Sequence, residues 1–97
     1  MNKSSLMMLL ASMLFSTSLV AEELEYKCYL QTSAGPQISL HFWPVQQTLA
    51  KRAKLVDQMV DVKDMEQQVR VIKVIECAPL YKAFKIREAY NFDDMQY

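Results

Sequence analysis

Histidine, glycine and net charge are all scarce in this chain of 97 residues, and each scarcity removes a class of function. His41 is the only histidine and there is no Cys-x-x-Cys, so a zinc site would need carboxylate ligands and a redox pair lacks its usual spacing. Gly35 is the only glycine, and no turn glycine accompanies Asp61, Asp64 and Glu66, the one acidic stretch suggestive of a calcium loop. Eleven basic residues balance eleven acidic ones, and bulk charge draws neither nucleic acid nor anionic lipid to such a chain. No nucleophile stands in a recognisable pattern with a base, so no enzymatic activity, no metal and no cofactor are expected. An unbroken apolar run of the roughly 20 residues that a membrane anchor needs is also missing.

The longest apolar run, Leu6 to Phe15, follows Lys3 and precedes the small-residue stretch Ser16 to Ala21 and the acidic Glu22 and Glu23. A positive start, a short apolar centre and a small-residue end make a secretory signal peptide over residues 1–21. Leu19 is bulky for its place before the cut, and a retained anchor is the competing reading. Cleavage after Ala21 leaves residues 22–97 as one small domain, expected in the periplasm or outside the cell with no membrane insertion. A domain of that size buries only about 60–65% of the surface its unfolded chain exposes and usually needs a staple. Cys28 and Cys77 supply one, since an even cysteine count pairs by default in an oxidising compartment, with a metal or redox pair as the alternative. The residues before Cys28 are too large for a lipidated cysteine.

Leu24 to Thr32 alternates, with Leu24, Tyr26, Cys28 and Leu30 on one face and Glu25, Lys27, Tyr29 and Gln31 on the other. Ser33 to Pro36 reads as a four-residue hairpin loop, followed by a second strand, Gln37 to Trp43, which Pro44 ends. Val45, Leu49, Ala53, Val56 and Met59 recur at three- and four-residue spacing and predict an amphipathic helix over 45–59. Residues 61–68 read as a connection. Gln68 to Cys77 is a β-branched strand with Val69, Val71, Ile75 and Cys77 on one face and Arg70, Ile72, Val74 and Glu76 on the other. Leu80 to Tyr90 predicts a short helix and Asn91 to Tyr97 a frayed tail. The basic groups Lys51, Arg52, Lys54 and Lys82, Lys85, Arg87 read as solvated helix faces.

The expected fold class is therefore α+β, a ββαβα chain with a three-stranded antiparallel sheet, order 2-1-3, one crossover helix, a short C-terminal helix and one disulfide. The crossover helix should cover the face carrying Tyr26, Leu30, Leu40, Phe42 and Ile75. On the second face the alternation places Tyr29, His41 and Trp43 together. They form either an aromatic binding face or, if Leu80 to Tyr90 folds back with Phe84 over Trp43 and Tyr29, a second small core.

The segments Tyr26-Lys27-Cys28, Ile38-Ser39-Leu40-His41-Phe42 and Val71-Ile72-Lys73-Val74-Ile75-Glu76-Cys77, after a signal peptide, resemble small exported proteins of the Tap type, associated with type IVa pili or type IVa secretion. The resemblance implies association with that machinery and no known reaction, and it carries over no residues beyond the two cysteines. The expected function is a non-enzymatic exported interaction protein whose partner is another protein, met through the sheet edge or the aromatic face, with a homodimer through an exposed strand edge as one form. The alternative is a periplasmic enzyme inhibitor or immunity-type protein presenting the loop Asp57 to Glu66.

Overall fold

The computed structural model describes residues 22–96; the predicted signal peptide lies outside them. Strand β1, Glu23–Thr32, and strand β2, Gly35–Pro44, form a hairpin in which Leu24 faces Trp43 and Thr32 faces Gly35. The turn is two residues, Ser33 and Ala34, rather than the expected four, and Pro36 is already in the strand. Thr32 closes it: its hydroxyl donates to the Gly35 carbonyl (2.7 Å) and accepts from the Ala34 N–H (3.1 Å). Gly35 then takes a φ of +89°, which a residue with a Cβ rarely adopts.

The predicted helix over 45–59 is mostly not helical. One 3-10 turn, Val45–Gln47, leads into a six-residue helix α1, Thr48–Ala53, none of whose residues is buried. Leu49 is 81% exposed, and Val45, Val56 and Met59 of the expected apolar stripe are exposed as well, while Leu55, off the stripe, enters the core. A competing set of backbone bonds stops the helix. Asp57, at φ +69°, donates its N–H to the Val71 carbonyl, and Val71 donates to the Gln58 carbonyl, so the chain is drawn into a ladder that continues as strand β3, Met59–Val60. The loop expected over Asp57 to Glu66 is accordingly tied down in its first half, with Val60 and Val62 buried.

Strand β4, Val69–Pro79, lies between β1 and β3, giving an antiparallel four-stranded sheet of order β2-β1-β4-β3. The expected 2-1-3 order is present as β2-β1-β4, with β3 added at one edge. The Leu80 N–H bonds the Glu25 carbonyl, so the odd residues of β1 bond to β4, and Cys28 and Cys77 face each other as a pair without mutual backbone bonds. Side chains stand closest at such pairs, and the two form the disulfide.

Two register shifts against β1, at Tyr29/Leu30 and Gln31/Thr32, leave Ile75 and Ile72 as extra residues in β4. Each bulge moves the following residues to the other face. Val71, Val74 and Cys77 therefore share the face of Tyr26, Cys28 and Leu30, while Ile75 packs on the opposite face, correcting the strict alternation expected of this strand.

The first core gathers Tyr26, Leu30, Trp43, Leu55, Val60 and Val71. Leu40 and Phe42, expected in it, are on the other face and exposed. The second core contains Tyr29, Ile38, Ala78, Phe84 and Ala89, closed by helix α2, Arg87–Met95. This helix begins later than predicted and includes most of the expected tail. Residues 80–86 are irregular, and the Glu76 carboxylate shapes them by accepting the N–H groups of Lys85 (2.8 Å) and Ile86 (2.9 Å).

Candidate functional site

Tyr29, His41 and Trp43 do not share a face. A loop with an even number of residues pairs odd residues of β1 with even residues of β2, so Tyr29 stands opposite Ile38, whereas His41 and Trp43 stand opposite Tyr26 and Leu24. A four-residue loop leads to the same parity, so the shared face fails on loop arithmetic alone. Tyr29 is buried between Phe84 (ring centroids 6.3 Å) and Phe92 (5.5 Å), and burial, then the charge of Glu88, raise its pKa. Phe84 thus covers Tyr29 but not Trp43.

Trp43 instead stacks between Tyr26 (5.8 Å) and His41 (4.5 Å), and only 8% of it is exposed. The His41 ring also shares a 2.6 Å hydrogen bond with the Ser39 hydroxyl. Burial lowers the His41 pKa from its ordinary 6.5. Below about pH 6.5 the unfolded chain binds a proton that the folded protein resists, so the unfolded state holds more protons and stability falls as pH falls. The melting temperature is expected to decline from pH 7 towards pH 5, and His41→Gln to flatten that decline. Equal slopes for both proteins would show that His41 does not titrate this way.

The outer edge of β2 is the longer of the two sheet edges that the fold leaves unpaired among the described residues. Val45 donates to the Glu22 carbonyl, which places the ladder bonds to β1 on the odd residues of β2. The N–H and C=O groups of Ile38, Leu40 and Phe42 therefore point away from the sheet, and no other strand pairs with them among the described residues. Pro36 and Pro44 occupy the flanking outward positions and have no N–H to offer, so the open donors are confined to the stretch between them. That stretch, Gln37 to Trp43, contains no Lys, Arg, Asp or Glu, the residues with which natural edges are commonly blunted. Leu40 is 56% and Phe42 63% exposed.

Two cavities lie along this edge. One, of about 330 Å³, is lined by Ile38, Leu40, Asp61, Val62, Lys63, Asp93 and Gln96. The other, of about 300 Å³, includes Leu40, His41, Leu55, Gln58 and Asp61. Residues following β3 thus face β2 although the two strands are the outermost of the sheet, which means that the sheet curls towards closure and leaves a seam.

Asp93 connects the seam to the second core. Its Oδ2 accepts from Lys27 Nζ at 2.7 Å, both side chains are largely buried, and the ammonium lies 4.8 Å from the centre of the Phe84 ring. Asp93 Oδ1 is buried without a hydrogen-bond partner among the described residues. The pair joins residues 66 apart, and no local signal announces it. The open edge is legible as an uncharged stretch between two prolines.

Among the described residues no group of three or more His, Cys, Asp or Glu side chains is placed to hold a metal ion. Neither the curated proteins nor the solved structures contain a match to this chain. A protein family does match, over residues 5–97, nearly the whole length. The chain therefore belongs to the TapY2-like family of type IVa secretion system proteins.

Proposed function

We propose that this protein is a non-enzymatic interaction module of the type IVa secretion machinery, working in the periplasm or outside the cell, which holds a partner protein by pairing a strand with the outer edge of β2. The family and the disulfide support an exported protein, as does the signal-peptide pattern of residues 1–21. Among the described residues no helix is long and apolar enough to cross a membrane. The observation that carries the reading is the uncharged edge between Pro36 and Pro44, with its outward Ile38, Leu40 and Phe42 backbone groups. Main-chain bonds from such an edge supply affinity for an added strand, and the side chains beside it supply selectivity.

Leu40→Pro removes an outward N–H that the sheet itself does not use, a replacement that edge positions tolerate. Tagged protein recovered from the cell envelope is expected to retain its partner, and Leu40→Pro to lose it by at least about tenfold while still unfolding cooperatively. Leu49→Ser, on the exposed side of α1, should retain it. Recovery unaffected by Leu40→Pro would exclude the edge. A second copy of the chain is the other occupant of the same surface, identified by a concentration-dependent dimer that Leu40→Pro dissolves.

A further inference from the structure

The cavity of about 330 Å³ adjoins the open edge through Ile38 and Leu40, and its chemistry narrows the kind of segment that the edge can hold. Resting on the strand-pairing reading above, we infer that it receives a lysine or arginine side chain from the extended partner segment paired with β2. Residues of an added strand alternate between the two faces of the sheet, so every second one stands on the face of Ile38 and Leu40, over this cavity. Ile38, Leu40 and Val62 offer apolar surface for a long aliphatic stem, which basic side chains bury while their charged ends seek polar partners. The volume is at the small end of ligand pockets, about 300–1,000 Å³, room for one side chain.

The polar end carries two carboxylates and one lysine, and Lys27 already pairs with one of the carboxylates. Asp93 and Asp61 both line the cavity. Asp93 Oδ1 is a buried acceptor with no partner among the described residues, because Lys27 engages only Oδ2. Buried polar atoms are nearly always hydrogen-bonded; this oxygen is closed to solvent, and a donor entering from the seam completes it once the Asp93 side chain turns towards the cavity that it lines. Lys63 also reaches the cavity, but its ammonium donates to the Gln96 carbonyl at 2.6 Å.

Random twelve-residue peptides displayed on phage and selected against the disulfide-intact protein provide the test. Selected peptides are expected to alternate apolar residues and to carry a lysine or arginine at one fixed position, enriched about tenfold or more over the starting library. A synthetic selected peptide should bind at least tenfold more tightly than its counterpart with norleucine at that position. Asp93→Asn should erase that ratio. Because this variant also deprives Lys27 of its partner, the lysine-to-norleucine comparison on the unmodified protein stands as the primary measurement. Peptides that bind and are lost on Leu40→Pro, but show no fixed basic position and no norleucine penalty, would overturn the cavity assignment and leave edge pairing in place. A selection that enriches nothing over uncoated wells would overturn both.

Discussion

Replacing Phe84 with alanine is expected to destabilise the protein by about 3–5 kcal/mol, the usual cost of deleting a fully buried phenylalanine. Only 4% of its surface is exposed. Its ring packs on Tyr29 and beneath the Lys27 ammonium, so the truncation removes apolar burial and also the face over which a buried cation sits. Tyr81, three residues earlier in the same irregular segment, is 73% exposed, and Tyr81→Ala should stay within about 0.5 kcal/mol. Urea or thermal unfolding of the two variants side by side decides the matter. A Phe84→Ala protein as stable as Tyr81→Ala would mean that residues 80–95 do not close over Tyr29, and the face would then be open for binding.

Removing the disulfide is expected to cost a similar amount. Cys28 and Cys77 are separated by 49 positions, and closing a loop of that length restricts the unfolded chain by about 4 kcal/mol in the chain-entropy model. A domain of this size has a total stability of roughly 4–11 kcal/mol at about 0.05–0.15 kcal/mol per residue. Cys28→Ala with Cys77→Ala should therefore lower the melting temperature by roughly 15–30 °C, at about 4–8 °C per kcal/mol, or leave the chain unfolded at 37 °C. A double variant that melts within a few degrees of the parent would show that the hydrogen-bonded pairing of β1 and β4 suffices alone. The staple matters to the edge as well, because β1 is the strand on which both β2 and β4 are assembled.

The two effects differ in how visible their causes are in the sequence. The cysteine pairing is legible because only one pairing of two cysteines exists, and β1 is legible because its alternation runs unbroken. Strand β4 is legible as a strand, but its faces are not: the bulges at Ile72 and Ile75 depend on its fit against β1, and an apolar residue on each side looks the same from either register. The 45–59 segment shows the reverse failure. Its apolar spacing satisfies a helix, yet Asp57 and Gln58 find better-placed partners in Val71, and a ladder to a strand more than ten residues away leaves no trace in a local period. The aromatic trio shows a third kind of miss, since an even number of residues in the hairpin loop is enough to separate Tyr29 from His41 and Trp43.

By itself the sequence determined the local matters: three of the four strands, a hairpin at the single glycine, the cross-link, and an uncharged strand bounded by two prolines. These are properties of neighbouring residues, and a two-residue period or a φ requirement acts over a few positions. The tertiary structure alone decided which faces meet, that β3 joins β4, that the sheet curls until residues 58–63 face β2, and that Lys27 finds Asp93. Burial is non-directional and rewards any arrangement that removes apolar area from water. The choice among such arrangements falls to register, bulges and buried polar partners, which become defined only when distant segments are brought together.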